Sequence, residues 1–178
     1  MKIKTLLFGL LAFVVLTFSS CGPENDEYAD KVVGNYDVKI TPNLTVKYEG
    51  MVMPVSFDAI NTTCYISRVG DDADVKIKIK GVNGMINDIE MDAYCSGLGM
   101  NVEDCAYDGI LEANDNTITT IMDCNLNFKN STSTISNAKV LNWNSTVSGK
   151  CEFEYVGLNI TCNVSGTINY YATYKTAK

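Results

Sequence analysis

Histidine is absent from this sequence, arginine occurs once (Arg68), tryptophan once (Trp143) and proline three times. Without an imidazole there is no Ser-His-Asp or Cys-His catalysis, no histidine metal ligand and no histidine-based pH switch. The chain has 14 basic and 21 acidic residues, a formal charge of −7, which is little with which to neutralise a phosphate backbone. Nucleic acid is therefore excluded as a partner. No segment shows a convincing 3.6-residue apolar period, so helices are not expected. What is present is 178 residues, 46% of them hydrophobic, enough for one domain with a real core.

The first residues read as a targeting device. Lys2 and Lys4 precede an apolar run from Leu6 to Phe18, and Ser19-Ser20 closes it. This is the layout of a secretory signal peptide over residues 1–20, and the run is shorter than the about 20 residues a membrane span needs. Phe18-Ser-Ser-Cys21 resembles a bacterial lipobox. That resemblance implies a Cys21 that carries lipid (palmitate-type acyl chains) and becomes the mature N-terminus. Parity agrees, because seven cysteines less Cys21 leave six, an even number. Residues 21–31 then hold four acids before the first base and read as a solvated tether. The segment is similar to the acidic stretch of Bacteroides-group lipoproteins, which implies outer-membrane anchoring and display on the cell surface.

From Lys31 onward the apolar residues recur at every second position, as in half-buried strands. The longest run is Leu158 to Tyr174, whose phase never slips, and Gly166 is the natural place for it to bend. Turning at Val156-Gly157 sets Tyr155 opposite Leu158, Phe153 opposite Ile160 and Cys151 opposite Cys162. A slip of one residue would reverse every side chain, so the register is well determined. Charge sets a second hairpin. Centring it on Gly84 puts Lys80 against Asp88, Lys78 against Glu90 and Lys76 against Asp92, with Ile77, Ile79, Ile89 and Met91 on the other face. Tyr36–Ile40 is expected to turn through Pro42-Asn43 into Leu44–Tyr48. Cys64–Val69, Ile118–Phe128, Lys139–Trp143 and Ser145–Lys150 read as further strands. Gly97–Asp108 is the least legible stretch and reads as a long loop or a helical turn.

The cysteines at 64, 95, 105, 124, 151 and 162 allow 15 complete pairings. In an exported protein they are expected to form disulfides. Cys151–Cys162 follows from the register, since directly opposed cysteines lie within bonding reach. Cys95–Cys105 flanks a glycine-rich stretch, and elimination leaves Cys64–Cys124. No CxxC pair accompanies them, so zinc is not expected, and the acidic turns 71–74 and 112–116 do not match the ligand spacing of a calcium loop. No cofactor is implied. Nor is there a nucleophile–base constellation, so the chain is not expected to be an enzyme.

Gly34-Asn-Tyr36, opening the first strand, resembles the Gly-x-Trp start of lipocalins. Val164-Ser-Gly-Thr-Ile-Asn-Tyr170 resembles the last strand of calycin-like domains on Bacteroides-type lipoproteins. The resemblance implies an all-β fold over 32–178, an antiparallel up-and-down calycin-like barrel of about eight strands, with a β-sandwich as the alternative. Barrels of that size are packed solid or hold one small ligand. Two functions are consistent with it. One is non-catalytic binding of a small or apolar ligand in the barrel mouth. The other is a surface interaction module with a filled barrel that contacts a protein or glycan, and the bulky inward set Tyr36, Met91, Phe128, Phe153 and Tyr170 is large enough to fill it.

Overall fold

Alternating side chains build eleven strands and one short helix in the structure, a computed structural model that describes residues 26–70, 73–97, 99–115, 118–136 and 139–176. Residues 1–25, with the expected signal peptide and Cys21, lie outside the described residues. Helix α1 is Asp26–Val32. The strands are β1 (Gly34–Tyr48), β2 (Met51–Val52), β3 (Ile60–Arg68), β4 (Asp74–Ile79), β5 (Ile89–Ser96) and β6 (Gly99–Val102). They continue with β7 (Cys105–Asp115), β8 (Ile118–Asn130), β9 (Thr132–Ile135), β10 (Val140–Tyr155) and β11 (Leu158–Tyr174).

All pairings between these strands are antiparallel. Eight strands close a ring in the order β11-β1-β3-β4-β5-β6-β9-β10, with β10 returning to β11. Closure is what a sandwich lacks, and it leaves no open edge around the ring. The ring follows chain order apart from β2, paired to β1, and the β7–β8 hairpin, which hangs from β10. Two halves result. Near α1 all eight strands contribute. At the opposite end only β1, β10 and β11 persist, because β10 pairs with β9 at Leu141–Asn142 and passes to β8 from Ser145 onward. There the wall continues through β8 and β7, whose outer edge meets Ser56 and Ile86 in single bridges at Asn114 and Leu111.

The register of the last hairpin is as the alternation requires: Tyr155 opposite Leu158, Phe153 opposite Ile160, Cys151 opposite Cys162. β11 keeps one phase over 17 residues and passes Gly166 with φ at 149°, a conformation open to glycine. A Cβ there would lie 2.2 Å from the Asn43 carbonyl oxygen. The charge ladder also stands, with Lys78–Glu90 at 2.8 Å and Lys76–Asp92 at 3.3 Å. Its third rung does not form. The strands end at Ile79 and Ile89, and the Asp88 carboxylate instead accepts from the Gly81 N–H at 2.6 Å.

Four expectations are corrected. β1 does not turn at Pro42-Asn43 but runs through, Pro42 opposite Ile168. Lys175 N–H donates to Asn35 O, so odd residues of β1 bond toward β11 and Pro42 faces the other side. The β3 ladder there stops at Ile40, so the missing N–H removes no bond. The supposed tether is helical from Asp26: Ala29 and Val32 are fully buried, and α1 packs on β3 and β5. The opaque stretch after Gly97 contains β6, and so a strand rather than a simple loop separates Cys95 from Cys105. Lys139–Trp143 and Ser145–Lys150 belong to the single strand β10.

The interior is filled. Tyr36, Tyr170, Phe128, Ile66, Met91 and Met100 are among its wholly buried side chains. Trp143 stacks on Tyr170 at 4.8 Å and Tyr107 on Phe128 at 5.6 Å. Tyr36 donates its hydroxyl proton to Val32 O at 2.7 Å, which fastens the helix to the first strand. Of the bulky inward set, Phe153 alone is half-buried, at the end away from α1.

Candidate functional site

Three hairpins, β1–β2, β7–β8 and β10–β11, converge at that far end, the β7–β8 hairpin described up to Asp115 and from Ile118. The β10–β11 turn is Val156-Gly157, with φ of 51° and 76°, and the β1–β2 turn is Glu49-Gly50, with φ of 47° and 84°. Two consecutive positive φ values give the turn whose twist matches paired strands, and Asn-Gly is its ordinary sequence. Valine is not. A β-branched residue in the left-handed region is strained, and Val156 is also 84% exposed.

It is not isolated. Met51, Val52, Ile118, Ile121, Tyr155, Val156 and Leu158 are seven of the eleven large apolar residues left exposed among the described residues, and all lie at this end. Between the tips a cavity of about 100 Å³ is walled by Met53, Val55, Ile118, Met122, Phe153 and Tyr155. That is well below the 300–1,000 Å³ of a ligand site. Larger depressions, of about 370 to 480 Å³, are open grooves on the outer strand faces, among residues such as Lys39, Thr63 and Lys129. Glu49, Glu112, Asp115, Asp123, Glu152 and Glu154 rim the tips, against two lysines, Lys47 and Lys150.

Below the tips the structure gathers sulfur. Cys151 is opposite Cys162 on one side and Cys124 on the other. Cys151 Sγ lies 3.5 Å from the Met122 thioether, and Cys162 Sγ lies 3.5 Å from that of Met53. Thiol hydrogen bonds from Cys124, then Cys162, favour a Cys151 thiolate and push its pKa down. The bond to Cys151, with burial, pushes Cys124 up; burial first, then Cys151, raises Cys162.

All six described cysteines are thiols. The remaining expected partners are not brought into register. Cys64 on β3 is flanked by Tyr36 and Ile79, and β3 does not adjoin β8, where Cys124 sits. Cys95 on β5 faces Met100, and Cys105 on β7 faces Phe128. Burial pushes Cys64 up to about 12 and Cys95 up to about 11.

No group of three or more His, Cys, Asp or Glu among the described residues is arranged to hold a metal ion. No helix among them is long and apolar enough to cross a membrane. Comparison with known families and with curated proteins finds nothing that matches the chain. The apolar tips escaped the sequence reading because each contributes only two or three residues. The one local signal was valine where a hairpin turn favours asparagine.

Proposed function

We propose that this is a lipid-anchored surface protein, non-catalytic, with a calycin-like barrel that is filled and serves as a rigid mount. The apolar hairpin tips are its working surface, and they take a protein partner. The strained, exposed Val156 carries this reading, because strain kept at a turn that a common dipeptide would relieve has its explanation outside the fold. The filled interior and the small cavity favour it over a carrier of small ligands. The rim selects the partner's chemistry: six carboxylates around an apolar centre complement a basic-rimmed apolar patch and repel an anionic lipid surface. Placement agrees. A lipid on Cys21 sits five residues before α1, and β1 carries the tips roughly 40 Å from that end, allowing for strand tilt.

The test places a photo-cross-linking amino acid at Leu158 in the cells that make the protein, with the same label at Tyr171 on the outer wall as control. The expected result is a discrete protein adduct from position 158 alone, lost when Glu49 and Glu154 become lysine. Equal labelling from both positions would overturn the proposal. So would a small molecule retained by the purified protein in native mass spectrometry.

A further inference from the structure

Cys124, Cys151 and Cys162 stand in one row across the neighbouring strands β8, β10 and β11. The backbone makes the two contacts of Cys151 unequal. Tyr174 N–H donates to Lys139 O and Ser131 N–H donates to Asn144 O. Bonding alternates along an antiparallel ladder, so Cys151–Cys162 falls at a hydrogen-bonded pair and Cys124–Cys151 at a non-hydrogen-bonded one. The respective Cα separations are about 5.5 Å and about 4.5 Å, and both lie within disulfide reach.

We propose that Cys151 is a shared disulfide partner, bridging to Cys124 or to Cys162, and that the two bridges interconvert by exchange within the row. Geometry supports this directly. A thiolate attacks a disulfide along the S–S axis, and the two flanking cysteines lie on opposite sides of Cys151. Cys124 is thereby behind the sulfur of a Cys151–Cys162 bond, and Cys162 is behind that of a Cys124–Cys151 bond. In exchange the Cys124 thiolate forms a bond to Cys151 Sγ as the Cys151–Cys162 bond breaks. The bonding pair leaves on Cys162 Sγ, which takes up the proton that Cys124 gave away, and nothing is oxidised overall.

The first bridge needs an oxidant, here a small-molecule disulfide. The Cys151 thiolate attacks one of its sulfurs and releases one thiol, and a flanking cysteine resolves the mixed disulfide and releases the second. Two protein thiols become one disulfide and the reagent becomes two thiols.

The bridges differ in what they hold. Cys151–Cys162 joins strands already linked by a two-residue turn. Cys124–Cys151 fastens the off-ring β7–β8 hairpin to β10 and closes a longer loop, 27 positions (151 − 124) against 11 (162 − 151). Its closer backbone pair makes it the major form in the folded chain.

The test oxidises the folded mature chain with glutathione disulfide, quenches in acid, alkylates free thiols in denaturant and maps them. Cleavage after Lys129 and Glu152 separates the three positions. The expected wild-type result is a Cys151 that is never alkylated, with label divided between Cys162, the larger share, and Cys124. Cys162→Ser should then carry only the 124–151 bridge and Cys124→Ser only the 151–162 bridge. An alkylated Cys151 in the oxidised chain, or all of the label on one flanking cysteine in the wild type, would overturn the proposal. The wild-type measurement needs no substitution, so a variant that fails to fold leaves it intact.

Discussion

Val156 shows how a single residue separates stability from use. Its backbone is left-handed at φ 51°, it is 84% exposed, and the residue beside it is already glycine. Asparagine tolerates that conformation and valine does not, a difference of about 1 kcal/mol. Val156→Asn is therefore expected to raise stability by about that amount, read as a higher urea midpoint with unchanged slope, while weakening the cross-link from position 158. A variant no more stable than the parent would remove the argument from strain. Legibility at this scale was uneven. Cys151 opposite Cys162 could be counted across a two-residue turn. Cys124 opposite Cys151 could not, because β9 intervenes in sequence between β8 and β10 and no hairpin sets that register.

At the scale of elements, helix α1 was hidden by its length. Seven residues barely make two turns, too few for a periodicity to show, and an isolated helix so short is unstable in water. It persists because Ala29 and Val32 are wholly buried against β3 and β5, with Arg68 paired to Asp30 at 3.0 Å outside. Val32→Asp places an unpaired carboxylate there and is expected to cost about 3 kcal/mol or more, measured as loss of thermal stability. Asp30→Asn, at an exposed ion pair, should change little. If both variants melt like the parent, α1 is not part of the folded unit. The strands were the more legible elements wherever one face met the core. Pro42 misled because a turn residue and a strand residue whose N–H has no neighbour look alike in sequence.

For the whole molecule, alternation foretold strands throughout and the calycin resemblance a closed ring, but neither foretold that the ring divides into an eight-stranded half and a half carried by β1, β10, β11, β8 and β7. That division depends on where β10 changes partners, a long-range choice with no local signature. One consequence of the filled core appears in the response to alkali. Burial raises Cys64 from an ordinary 9.0 to about 12, Cys95 to about 11 and Tyr107 from 10.0 to about 12. Above pH 9 the unfolded chain releases thiol protons that the folded chain keeps. The folded state then binds more protons, and stability falls as pH rises from 9 toward 12. Cys64, the thiol raised further, accounts for a loss of about 1 kcal/mol at pH 10. Urea unfolding under reducing conditions should give a lower midpoint at pH 10 than at pH 7.5, with a smaller drop in Cys64→Ala. An identical midpoint at both pH values would mean that these thiols are exposed to water and that the interior is looser than its packing indicates.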